Sequence, residues 1–133
     1  MAALIDSSVF IAAEHGALDL DAILASHAET GMALAVISAS ELLHGVHRLR
    51  ASRRKIRAEA FVEGILSQVP VVPFDLLCAR AHARIGADLA RRGVTLGAHD
   101  LLIAATAMAR GLSVVTRDRR GFGRIPDLTV EVW

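Results

Sequence analysis

Apolar residues in this chain come in short runs and in helical stripes, and the two alternate. Residues 2–5 (AALI) are wholly apolar and stop at Asp6, Ser7 and Ser8. This pattern predicts a buried strand that delivers a carboxylate to its C-terminal end and turns into a helix. The helix runs through residues 11–13, and His15-Gly16 ends it. Ser7 and Ser8 are expected to cap it, which leaves Asp6 free. Asp19 or Asp21 caps a second helix that carries Leu20, Ile23, Leu24 and Ala28 on one face and stops before Gly31. Residues 32–37 (MALAVI) read as a second strand, apolar on both faces. Ser38 followed by Glu41 fits a capping box at the head of a third helix, which carries Leu42, Leu43 and Val46.

Ile56, Ala60, Phe61, Ile65 and Leu66 keep helical spacing after a break near Ala51-Ser52. Residues 69–74 (VPVVPF) form a strand with prolines near both ends, hence an edge strand. Asp75 caps a long helix over residues 76–92, closed by Gly93. Asp100 heads residues 101–109 (LLIAATAMA), a helix apolar almost all round and therefore buried. Gly111 ends it. Residues 112–115 make a fourth strand that runs into Thr116-Arg117-Asp118. A basic turn with Arg119, Arg120 and Arg124 leads to a last strand over 128–132. Strands alternating with helices predict an α/β fold with a mainly parallel, doubly covered sheet. There is no internal repeat, low-complexity tract or linker, so residues 1–133 are expected to form one domain.

This layout puts four acids at one place. Asp6 and Asp118 end strands; Glu41 and Asp100 start helices. In a parallel sheet all four then face the carboxyl edge, where ligands bind. Each acid alone has an ordinary explanation as a helix cap or a turn residue. Together they repel, and must bind protons or cations. A hard, oxygen-only ligand set suits Mg²⁺ or Mn²⁺ rather than structural zinc. Such ions serve phosphate chemistry.

Charge changes the picture only once the acids are set aside. Fifteen Lys and Arg face 14 Asp and Glu; without the four edge acids, ten remain and the surplus is five. The rest of the surface is thus basic, which suits a polyanion. Fourteen of the basic residues are Arg, suited to bidentate phosphate contacts, although a GC-rich genome would give the same bias. Aromatic residues are only 4%, which disfavours base-stacking platforms. The single cysteine, Cys78, excludes an internal disulfide and reads as a buried thiol in a reducing, cytoplasmic setting. No apolar run is long enough to span a membrane, and residues 1–5 lack the basic start of a signal peptide.

The segments LIDSSVFIA, SASELLHGVHR, GAHDLLIAATAMARG and VVTRDRRGFGRI, taken together, resemble the PIN-domain ribonucleases, and more narrowly the VapC-type toxins of toxin–antitoxin pairs. The likeness covers essentially the whole chain. It implies a three-layer α/β/α sandwich with a sheet of four to five strands and a Mg²⁺- or Mn²⁺-dependent endoribonuclease. It also implies products with 5′-phosphate and 3′-hydroxyl ends, a homodimer, and a cognate antitoxin that blocks the site. By position, Asp6, Glu41, Asp100 and Asp118 match the family's acids, and Ser7 and Thr116 match the small hydroxyl residues beside them. Many relatives carry a further acid just before the last motif's phenylalanine; here that place is Gly121, so Asp118 takes the fourth role alone.

Other readings are open at this level. A phosphatase using Asp6 as nucleophile would want a second Asp where Ser8 stands. A non-catalytic metal- or RNA-binding module and a housekeeping RNA-processing nuclease share the same acids. His44 and His47 read as helix-surface residues, and His99 as a polar neighbour of Asp100. The basic run from Arg48 to Arg57 is either a solvated face or a contact for RNA or an acidic part of an antitoxin. Leu42, Leu43, Val46, Ile56 and Phe61 are core, or else a groove for an antitoxin helix.

Overall fold

The computed structural model describes residues 2–133. Strands β1 (Ala3–Ile5), β2 (Met32–Ala35), β3 (Val71–Val72), β4 (Ser113–Thr116) and β5 (Val130–Val132) form one sheet in the order β3-β2-β1-β4-β5. Every pairing is parallel. Between them run helices α1 (Ser7–Glu14), α2 (Leu20–Ser26), α3 (Val36–His47), α4 (Arg53–Gln68), α5 (Leu76–Arg91), α6 (Ala98–Arg110) and α7 (Arg119–Phe122). The α/β sandwich with a five-stranded parallel sheet is the expected fold.

Alternation along the strands builds two cores. Ala3, Ile5, Leu34 and Val115 face a layer made by α1 to α4. Leu4, Ala35 and Val114 face the opposite layer, made by α5, α6 and α7. The central strands are therefore apolar on both faces, as a doubly covered sheet requires. Helix α6 buries Ile103 to Ala107 completely and packs under α5.

The chain winds outward from β1 to β2 and β3, then returns past β1 to β4 and β5. The reversal falls between β1 and β4, and in open α/β sheets the crevice at such a point is the ligand site. Asp6 follows β1 directly, and its backbone N–H bonds Val115 O at 2.8 Å, so the ladder to β4 carries through it.

Several local expectations need correction. Strand β2 ends at Ala35, and α3 has already begun at Val36. Val36 and Ile37 are apolar and fit either period, so the run read two residues too long. Ser38 therefore lies inside α3, and the predicted capping box with Glu41 does not form; the N-cap is Ala35, with no side-chain bond. Ser38 Oγ is fully buried and has no hydrogen-bond partner among the described residues. Helix α6 starts at Ala98 behind Gly97, which puts Asp100 inside its first turn rather than at the cap. The basic turn after Asp118 is the short helix α7, and β5 begins at Val130, two residues later than read. Asp19 and Asp75 cap α2 and α5 as expected, and β3 is an edge strand.

Candidate active site

Asp6 occupies the N-cap position of α1 but makes no cap bond with its side chain. The serines after it do not cap either. Ser8 Oγ donates to Asp6 Oδ2 at 2.7 Å, and Thr116 Oγ1, at the end of β4, donates to the same oxygen at 2.9 Å. Thr116 is only 1% exposed and Asp6 8%. Ser7 Oγ reaches from α1 to Glu41 Oε1 on α3 at 3.3 Å. His99 Nδ1, on α6, lies 3.3 Å from Glu41 Oε2. Glu41 is thus held from two sides by helices that start at the same sheet edge.

Asp100 senses the whole group. Burial pushes its carboxyl above the ordinary value of 3.8, and the charges of Asp6, Glu41 and Asp118 push it further in the same direction. The nearby His99 opposes the shift. Its place in the first turn of α6 sets it against the helix dipole, which favours an anion there. The structure therefore brings Asp6, Glu41, Asp100 and Asp118 to one edge.

The fourth acid is engaged elsewhere. Asp118 caps α7 by accepting from Arg120 N at 3.0 Å. The Arg120 guanidinium also grips it, Nε on Oδ1 at 3.2 Å and Nη2 on Oδ2 at 3.1 Å. These bonds hold the Asp118 carboxyl below the usual carboxylate range. Gly121 follows on α7. A Cβ placed there would stand 3.2 Å from Asp100 Oδ2 and from Leu96 Cδ1, so a side chain at this position would crowd Asp100 directly.

For a divalent cation, donor type and charge fit. The set is all oxygen, partly buried, and mutually repulsive on Asp100. The cage is not closed: no three Asp, Glu, His or Cys side chains among the described residues already converge as ligands. Glu41 is turned to Ser7 and His99, and Asp118 to Arg120.

Sequence reasoning missed the roles of Ser8 and Arg120. Ser8 had a visible signal, a hydroxyl two residues after a strand-end acid, but helix capping was the simpler use for it. Arg120 looked like one of several arginines in a turn. Only the unforeseen turn of α7 folds it back onto Asp118.

A model of the PIN domain matches residues 3–128. Ribonuclease VapC1 of Rickettsia felis is 36% identical over 131 residues, 98% of this chain and 95% of that protein. The tRNA(fMet)-specific endonuclease VapC of Salmonella typhimurium is 38% identical over 102 residues, 77% and 75% of the two chains. Among solved structures, DNA-bound VapBC from Salmonella typhimurium superposes with a TM-score of 0.88 at 30% identity, covering 100% of this chain and 98% of that one. The order of acids, the fold and these likenesses agree, and the chain belongs to the PIN-domain family, among its VapC ribonucleases.

Proposed function

We propose that residues 1–133 act as one PIN domain, a divalent-metal-dependent endoribonuclease, and that it is the toxin of a toxin–antitoxin pair. The observation that carries the reading is that three carboxylates, Asp6, Glu41 and Asp118, act by their charge on a fourth, Asp100, at the point where the sheet reverses direction. A surface site has no stabilising reason to gather like charges, whereas a phosphate-cleaving site needs them to bind cations. Asp6 and Asp100 are the principal ligands, with Glu41 and Asp118 supporting them directly or through water. A Mg²⁺ or Mn²⁺ ion bound there supplies positive charge to the phosphate and lowers the pKa of water.

The chain's own residues set the stage for this chemistry. Ser8 and Thr116 fix the orientation of Asp6, and both donate to one oxygen, leaving Oδ1 without a partner among the described residues. Ser7 and His99 hold Glu41 at opposite oxygens, Oε1 and Oε2. Because Gly121 adds no side chain beside Asp100, the fourth acidic role falls to Asp118. The relatives named as ribonucleases and as a tRNA(fMet)-specific endonuclease support RNA as the substrate class. Neighbours that are VapBC complexes, one of them the DNA-bound Salmonella assembly, support a cognate antitoxin as the partner. A homodimer completes the reading.

The test is direct. Purified protein, checked by mass spectrometry for a bound second protein, is incubated with total RNA and with initiator tRNA in Mn²⁺, Mg²⁺ or EDTA. Cleavage with the metals, 5′-phosphate and 3′-hydroxyl ends, and none in EDTA is expected. Cleavage that survives EDTA, or RNA retention without cleavage in antitoxin-free protein, would refute the reading.

A further inference from the structure

The cations of the segment leading into α4 take no part in the acidic edge or in either core. Arg48, Arg50, Arg53, Arg54 and Arg57 are exposed. Among the described residues, none of these side chains, nor that of Lys55, forms an ion pair or a hydrogen bond; Arg48, Arg50 and Lys55 bond through their backbone groups. Three of the four arginines after β4 are different. Arg117 donates to Trp133 O, Arg120 to Asp118 and Arg124 to Thr95 O. Those three have structural partners; the α4 cations have none. Helix stability does not explain Arg53 and Arg54, since cations in the first turn of α4 oppose its dipole; Arg48, at the C-cap of α3, sits where a dipole favours a cation but has no side-chain partner.

A cleft of about 180 Å³ runs between α1, α3 and α4. Glu41, one of the site acids, lines it, as do Arg48 and Arg54, over an apolar floor of Leu42 and Val46. The cleft therefore connects the acidic edge with the unpaired cations. Glu14 also lines it and supplies the one opposing charge beyond Glu41.

We infer that a single-stranded RNA lies in this cleft, with Arg48 and Arg54 gripping backbone phosphates on one side of the scissile bond. The inference rests on the ribonuclease reading of the acidic edge. Guanidinium groups match phosphate oxygens bidentately. The cleft has no Phe, Tyr or Trp, and His15 is the one ring in its lining, so its grip is chiefly on the backbone and tolerates sequence. Arg48 and Arg54 are positioning residues: they hold the strand, and the acids act on it.

Binding of a short fluorescein-labelled single-stranded RNA is followed by anisotropy in EDTA, across a salt series. Proteins compared are the wild type, the double variant Arg48→Gln/Arg54→Gln, and a control, Arg84→Gln/Arg91→Gln on α5. All these side chains are exposed, so folding is expected to survive, and circular dichroism checks it. Each phosphate contact contributes a slope of about 0.7 in log affinity against log salt for single strands. The cleft variant should lose about tenfold in affinity, and its slope should become shallower by about 1.4, from two contacts. In Mn²⁺ its KM should rise with kcat held, while the control matches wild type. Wild-type affinity and slope in a cleft variant that still cleaves RNA would overturn the path and leave the ribonuclease reading standing. No binding and no cleavage by wild type would remove that reading and the path with it. Unchanged RNA binding with lost binding to a poly-glutamate peptide would assign the cleft to an acidic protein segment and overturn the RNA proposal.

Discussion

Asp6 and Asp118 follow neighbouring strands, β1 and β4, and the chain treats them in opposite ways. Asp6 is buried, and its partners are two neutral hydroxyls, Ser8 and Thr116. Asp118 is largely exposed, and its partner is a full positive charge, Arg120. Neutral donors orient a carboxylate without offsetting its charge; a guanidinium offsets part of it. Asp6 therefore still presents a negative charge to Asp100 and to any cation, whereas Asp118 must first be released from Arg120. On the proposed reading, the buried half of the edge is prepared for a metal and the exposed half is held in reserve.

The comparison predicts an ordered set of losses. Asp6→Asn and Asp100→Asn keep size and hydrogen bonding but remove the charge. Each should lower RNA cleavage by about a thousandfold or more, within the range expected for groups acting at the reacting centre. Initial rates on labelled RNA in Mn²⁺ measure this, with circular dichroism as the check on folding. If Asp118→Asn cost as much as Asp6→Asn, the two halves would be equal and the distinction would fail.

Asp100 offers a second measurement that does not depend on activity. Its carboxyl is raised by burial and by its acidic neighbours, so the folded state favours its protonated form. For a raised acid, that favourable contribution is complete below the unfolded value near 3.8 and is lost as pH rises through the higher folded value. Metal-free protein at neutral pH therefore carries Asp100 as a destabilising charge. Asp100→Asn should raise Tm in EDTA at pH 7, although most substitutions lower stability by about 1 kcal/mol. The gap should close as the pH falls below 3.8, where the wild-type carboxyl is protonated in both states. Saturating Mn²⁺ should stabilise the wild type and not the variant.

What the sequence made legible, and what it did not, follows the same division. The placement of Asp6, Asp100 and Asp118 could be read because apolar runs and helix stops are local signals. Thr116 stands out in the sequence only by family likeness, as a hydroxyl beside the acids, and its bond to Asp6 is not legible there because the two are 110 residues apart. Ser38 misled for a physical reason: Ser-x-x-Glu is a cap only if the helix starts there, and Val36-Ile37 fit strand and helix alike. Asp100 was placed at a cap because the apolar run begins at Leu101, yet Gly97 already opens the turn. Arg120 was hidden by its surroundings, one arginine among four in a stretch with no strong period.

An intermediate effect is expected at Thr116. Thr116→Val keeps the shape of a buried residue and deletes the hydroxyl that Asp6 accepts from. Loss of a partner that orients a ligand costs about 10- to 100-fold in metal affinity or activity. Ser8→Ala removes the other donor, but Ser8 is the less buried of the two and the loss should sit at the lower end. The pair should be non-additive, since both bonds end on the same oxygen. A double-mutant cycle read on Mn²⁺ affinity measures the coupling. Strict additivity would mean that the two hydroxyls act separately rather than orienting one carboxylate.

The smallest effect belongs to Arg120, and its sign decides whether the exposed half is a reserve or a working part. Arg120 lowers the Asp118 carboxyl by hydrogen bonding first and by charge second. A depressed acid adds stability above its ordinary value and loses it as pH falls through the lower folded value. Any stability change in Arg120→Gln should therefore appear above pH 3.8 and vanish in stronger acid. Because both side chains are mostly exposed, the pair is worth little, and RNA cleavage should change by no more than about threefold. Release of Asp118 should tighten Mn²⁺ binding in the absence of RNA, measured by electron paramagnetic resonance of the free ion. Weaker binding would mean that Arg120 orients Asp118 toward the site rather than withholding it, and the contrast between the two strand ends would collapse.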